Sequence, residues 1–140
     1  MVLGGIIGWD RERHGRSAGL RTNMLVGLSA ALFTATGDLL IHHFQSYGQV
    51  MTADPIRVLQ AIVIGISFLG SGIIFVSRRD EVRGVTTAAS IWTITGVGIV
   101  VGLRHYVLGT AITLIVLVVL QLVRKLEQLT GVKPSSQHEP

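Results

Sequence analysis

The stretch IIGWDRERHGRSAGLRTNMLVG, residues 6–27, decides the fold. Apolar sequence stops at Trp9, six charged residues arrive between Asp10 and Arg21, and apolar sequence resumes. Four of the six are arginines. Such a cluster reads as a nucleic-acid grip, a catalytic cluster, or a loop held on one side of a membrane. Composition chooses among them. The 140-residue chain is 49% hydrophobic and 14% charged, where a soluble domain carries about a quarter charged residues. Mean hydropathy is +0.57. There are too few polar side chains to cover a soluble surface, so most of the chain is solvated by lipid. The pI is high, but the formal charge is only +4. A basic balance in an apolar chain reports loops kept on one side of a membrane, not a nucleic-acid surface. The absence of cysteine excludes a disulfide framework and thiolate metal sites. No secretory signal is legible ahead of the charges.

A hydrocarbon core about 30 Å thick needs roughly 20 apolar residues of helix. Leu20–Ile41, Ile56–Val76, Val85–Leu103 and Tyr106–Val123 meet that length. Met1–Trp9 is about half long enough, and reads as a short or truncated first helix. The sequence therefore predicts an all-α, polytopic transmembrane bundle of four full helices plus that half-helix. The domain covers residues 1–127, and residues 128–140, polar with two prolines, are expected to form a flexible tail. No soluble second domain is expected after it. Strong and weak loops alternate. Arg11, Arg13, Arg16 and Arg21 crowd the loop at 10–21, and Arg78, Arg79 and Arg83 the loop at 77–84. Arg124, Lys125 and Lys133 follow the last helix, whereas the loop at 42–55 has no Lys or Arg. The positive-inside rule then predicts an N-out, C-in topology.

Several motifs stand on these helices. Asp54 is a good N-cap, Pro55 suits the first helical position, and Arg57 follows within ion-pair reach of Asp54. Arg57 enters an apolar segment on the side the charge rule disfavours, and such a residue is a functional candidate. Gly65, Gly70 and Gly72, with Ser67 and Ser71, read as a small face for close helix packing. The lysine of a phosphate loop is missing there, which excludes nucleotide binding. Thr86, Ser90 and Thr93 share one face of the next helix. They serve interhelical hydrogen bonds, or a polar lining facing Arg21 and Asn23. Asp38, His42 and His43 read as interfacial residues, because adjacent histidines on a helix diverge by about 100° and do not chelate together. Asp10, Glu12, Asp38 and Asp54 divide between the two sides, which argues against a multi-carboxylate magnesium cage. The Asp10–Arg11–Glu12–Arg13 run predicts a salt-bridged loop fixing two helices together, with Arg21 pointing into the bundle beside Thr22 and Asn23. Arg11 and Arg16 read as orientation charges only. "GGII" at 4–7 and "SGII" at 71–74, each followed by a charged loop, a glycine (Gly19, Gly84) and a threonine (Thr22, Thr87), suggest a parallel repeat of two hairpins. No catalytic or cofactor motif is legible, so the chain is not read as an enzyme.

Three ordered motifs then carry a resemblance. "IGWDRERHGRSAGLRTNMLVGLSAALF", "DPIRVLQAIVIGISFLGSGIIF" and "VRGVTTAASIWTITGVGIVVGL" resemble the membrane domain of the MgtC/SapB family, from Gly4 to about Leu122. Asp10 stands where the family usually has Glu, Ser17 where it often has Pro, and Ser67 where it often has Gly. The soluble C-terminal domain of MgtC itself is not part of the resemblance. The resemblance implies a bacterial inner-membrane protein tied to magnesium limitation, to survival inside macrophages in pathogens, and to restraint of the proton-translocating ATP synthase. It carries over Asp10, Glu12, Arg13, Gly19, Arg21, Thr22, Asp54, Pro55, Arg57, Gly65, Gly70, Thr86 and Thr87 as motif positions. Two functions fit: a regulator that packs against other membrane subunits, the ATP synthase among them, or a small dimeric transporter or channel with a polar site between helices. Partners are the lipid bilayer, a second copy and such a membrane subunit, and no cofactor is implied.

Overall fold

The structure is a computed structural model that describes residues 1–46, 54–76 and 82–130. Five helices follow in order: α1 (Val2–Arg13), α2 (Leu20–Ser46), α3 (Pro55–Ile73), α4 (Val85–Gly102) and α5 (Tyr106–Thr130). Between α3 and α4, Phe75–Val76 (β1) pairs antiparallel with Val82–Arg83 (β2), Phe75 opposite Arg83. The fold is therefore the expected all-α bundle with one two-residue ladder added. Helices α2 to α5 are each long and apolar enough to cross a membrane. The chain is a multi-pass membrane protein.

Two expected boundaries move for physical reasons. Helix α1 continues past Trp9 to Arg13, because Arg and Glu are strong helix formers and extend the helix without apolar support. It stops at His14, and Gly15 turns the chain at φ 62°. Helix α5 runs to Thr130, past the expected domain limit. The remaining tail, 131–140, lies outside the described residues, as do 47–53 and 77–81 with Arg78 and Arg79. Helix α3 begins as its sequence dictates. Asp54 caps it, its Oδ1 accepting from Ile56 N at 2.9 Å, and Pro55 takes the first turn.

Helix α4 is the centre of the bundle. Its buried residues, including Ile91, Ile94, Thr95 and Val97, cover about half of its circumference, while Val85, Ala89 and Trp92 stay exposed on the opposite side. Lipid is as apolar as leucine, so association in a membrane depends on close van der Waals approach. Helix α2 meets that need on two sides. A Cβ on Gly8 of α1 would stand 2.8 Å from Leu20 Cα, and one on Gly98 of α4 would stand 2.5 Å from Gly27 O. Gly4 and Gly102, one turn away from each, are equally tight against Asn23 O and Ala31 O. Both pairs are four apart, the spacing that lets two helix backbones touch.

The expected packing glycines are corrected by this geometry. A Cβ on Gly70 would stand 3.7 Å from Ala88 Cβ, an ordinary van der Waals distance. Nothing lies within 4 Å of a Cβ at Gly65 or Gly72. Small residues were dense in α3, but its outward face meets no other helix of the chain among the described residues. The repeat is likewise limited. Leu20 and Val85 open α2 and α4 directly after Gly19 and Gly84, so the two hairpins share a construction. The corresponding threonines do not share contacts, since Thr22 is exposed and Thr87 is buried. Gly98→Ala is expected to destabilise the protein by roughly 1–3 kcal/mol through overpacking, read by denaturant titration in micelles. Gly72→Ala should leave the midpoint unchanged or raise it.

Candidate functional site

The polar side chains gather at the end of the bundle where α1 stops and α2 and α4 begin. Helix α1 buries one stripe: Gly4, Ile7, Gly8 and Arg11, at the three- and four-residue spacing of a helix face. The stripe thus delivers a guanidinium to the helix interface. Arg11 is 3% exposed. Its Nη2 donates to Thr87 Oγ1 at 2.7 Å and to Ser17 O at 3.1 Å, and its Nε donates to Ala18 O at 3.4 Å. Burial lowers its pKa from the ordinary arginine value, Arg16 lowers it further and Asp10 opposes both. An arginine nonetheless stays charged in a protein. One side chain therefore ties α1 to the α1–α2 loop and to the first turn of α4.

The loop is shaped to receive it. Ala18 sits at φ 59°, a left-handed conformation that is costly for a residue with a Cβ. Its carbonyl is the shared acceptor of Arg11 Nε and of Asn23 Nδ2, the latter at 2.6 Å. Asn23 is fully buried and donates also to Gly19 O at 2.7 Å. Its Oδ1 has no hydrogen-bond partner among the described residues. Glu12 Oε2 accepts from Leu20 N at 2.7 Å, placing a carboxylate at the start of α2 where the helix dipole favours it. Beside this staple is a second one. Arg124 of α5 donates from Nη2 to Asp10 Oδ2 at 2.7 Å, and Nη1 stands 2.7 Å from His14 Nε2. Asp10 and Arg124 are both mostly shielded, at 15% and 28% side-chain exposure. The pair holds α1 against α5.

The expected positions divide accordingly. Thr87, Asn23, Asp10 and Glu12 belong to this cluster. Arg13 reaches back over Trp9, 5.7 Å from the ring centroid, a cation–π contact on the exposed face. Arg21 does not point into the bundle: it is exposed, as are Thr22 and Thr86. Arg21 lies two residues from Asn23, about 200° around the helix from the buried face. The buried arginine is Arg11, so it is more than an orientation charge. The salt bridge that fixes two helices runs to Arg124, not within the loop. Asp54 and Arg57 lie at the far end of α3. Among the described residues no ion pair joins them, because the Asp54 carboxylate is occupied with the helix start. The α4 hydroxyls do not bridge helices as expected. Ser90, Thr93 and Thr95 donate to Thr87 O, Ala89 O and Ile91 O of their own helix. Among the described residues, Thr87 is the α4 hydroxyl that reaches across, to Arg11 and Ser17. At the other end of α2, His42 Nδ1 lies 3.4 Å from Asp38 Oδ1, both exposed and one helical turn apart. Among the described residues no group of three or more His, Asp or Glu side chains could hold a metal ion.

The whole assembly has relatives. The MgtC family profile matches residues 1–129. The chain is 39% identical over 127 residues to MgtC of Brucella abortus (strain 2308), covering 91% of this chain and 49% of that protein. It is 32% identical over 117 residues to SapB of Bacillus subtilis (strain 168), covering 84% and 50%. It is 37% identical over 122 residues, covering 87% and 56%, to YhiD of Escherichia coli (strain K12), whose name proposes it as a magnesium transporter. The chain spans about half the length of these relatives. No solved structure matches it.

Replacing Arg11 by Met removes the donor for Thr87 and the loop carbonyls while keeping the apolar stem. The expected loss is roughly 2–3 kcal/mol of stability, read by denaturant titration in micelles. Arg21→Ala should leave the unfolding midpoint in place. An equal effect of the two would contradict the staple.

Proposed function

The chain belongs to the MgtC family, and from that premise we propose that it serves bacterial adaptation to magnesium limitation by packing against another membrane subunit rather than by conducting an ion. The ATP synthase is the partner the family resemblance implies. The observation that carries this reading is the use of polar groups inside the bundle. At the basic end Arg11, Asp10, Thr87 and Arg124 are engaged in the two staples, and Asn23 donates to two loop carbonyls while its Oδ1 accepts from no described residue. Further along, the buried hydroxyls of Thr34, Thr95 and Thr113 donate to carbonyls of their own helices. The side chains between are Ile7, Ala30, Ile66, Ile91, Ile94 and Val97. An ion on that route would lose its hydration without gaining ligands, which is expensive in hydrocarbon. Transport, suggested by the name of YhiD, would need a polar path that these residues do not offer.

The protein is proposed to reside in the inner membrane, with α1 entering from outside and the staples at the cytoplasmic face. The clustering of Arg11, Arg16, Arg83 and Arg124 at one end supports this orientation. A second copy is the expected assembly, as a dimer.

Proteoliposomes of the purified protein are expected to move Mg²⁺ and protons no faster than empty vesicles. Under magnesium starvation a tagged chain should co-purify with ATP synthase subunits. Flux above empty vesicles, or failure of the synthase to co-purify, would overturn the reading. A reporter enzyme fused after Lys125 should be active only in its cytoplasmic form; periplasmic activity would invert the orientation.

A further inference from the structure

Helices α2 and α3 touch at one place and part at another. Near the far end, the Val58 methyls lie where a Cβ on Gly37 would be, at 2.9–3.0 Å. By Gly65 nothing lies within 4 Å of where a Cβ would stand. A crevice of about 790 Å³ follows this seam, walled by residues from Leu25 to Leu40 of α2 and from Arg57 to Leu69 of α3, with Thr95 of α4 among its lining. It is roughly 22 Å long at 1.5 Å per helical residue, most of a hydrocarbon core. Its walls are apolar, and Leu25, Phe33, Leu40 and Leu69 are 49–62% exposed, open to the bilayer side.

One charge lines this crevice. Arg57 stands at the end where the helices touch, and no carboxylate is within ion-pair distance among the described residues. Asp54, one turn away, is engaged by Ile56 N. A cation at one end of a long apolar slot has the pattern of a molecule with one anionic head and a hydrocarbon tail. We propose that the crevice is a binding site for an anionic phospholipid of the surrounding bilayer, its phosphate on Arg57 and an acyl chain along the α2–α3 seam. An arginine fork suits a phosphate. The taper disfavours a helix as occupant. A helix with side chains is about 10–12 Å across, and cannot follow a slot that closes to van der Waals contact at Gly37 and Val58. An acyl chain can.

The test uses the full chain in nanodiscs of mixed phosphatidylglycerol and phosphatidylcholine, released for native mass spectrometry. The wild-type protein is expected to retain one phosphatidylglycerol in roughly tenfold preference, the worth of one charge-assisted contact. Arg57→Gln should abolish the preference without moving the unfolding midpoint. Ala61→Phe, which fills the slot from an exposed position, should expel both lipids. Absence of retained lipid, equal retention of the two lipids by the wild type, or a preference that survives Arg57→Gln would overturn the proposal. So would a dimer that Ala61→Phe dissociates, since a second copy would then hold the seam.

Discussion

The buried guanidinium of Arg11 is the contact on which the basic end of the bundle depends. Helix α1, twelve residues from Val2 to Arg13, is marginal as an isolated helix. Its place is defined by what its last turn binds. Arginine suits the position because its donors form a rigid fork that serves two carbonyls and a hydroxyl at once, where a lysine offers a single rotating ammonium. Ala18 takes a strained left-handed conformation, and the result is a carbonyl aimed at both Arg11 and Asn23. The strain and the buried charge are each unfavourable alone and become tolerable together. Asp10 completes the arrangement from the next position of α1, turned outward to Arg124. Adjacent residues of one helical turn thus hold α4 and α5 from two directions.

Above that end the bundle relies on contact, not polarity. Helix α2 presents Gly27 and Ala31 to Gly98 and Gly102, and the Leu20 and Asn23 backbone to Gly8 and Gly4. Close approach on both flanks leaves α2 fixed between α1 and α4. Helix α3 is joined differently. It meets α4 at Gly70–Ala88 and at Ile73 beside Gly84, and α2 at Gly37–Val58, with open space beside Gly65 and Gly72. The same bundle therefore contains a tightly packed half and a half with an open seam, and the difference follows from where small residues face each other.

Much of this was legible in the sequence. The four spans and the helix before them follow from hydropathy, because lipid leaves a helix little choice. The Asp54–Pro55 start of α3 was equally plain. What escaped was phase. Ending α1 at Trp9 hid the fact that Arg11 continues the Gly4–Ile7–Gly8 stripe, a signal present in the spacing. Arg21 looked buried because it adjoins Asn23, yet Asn23, Gly27, Ala30 and Thr34 mark the inward face of α2, and Arg21 is on the other side. The α3 glycines misled for another reason. A small-residue face shows that something can come near, and its partner is set by distant residues such as Ile94 or Ala88 that no local pattern names. Arg124 was unreadable in the same way, since its partner lies 114 positions earlier.

The placement of charge then separates two roles within one chain. Charges at the basic end are satisfied by the protein: Arg11 by carbonyls and Thr87, Asp10 by Arg124, Glu12 by the start of α2. They have little capacity left for a ligand, and they act as structure. Arg57, at the other end, is satisfied by nothing in the described chain, and it borders a long seam that α2 and α3 leave unfilled. A residue of that kind is costly near hydrocarbon unless something outside the protein answers it. The sequence motif at 54–57 therefore joins two unlike functions in a single turn. Asp54 starts the helix and is consumed by it, whereas Arg57 faces the membrane that surrounds it.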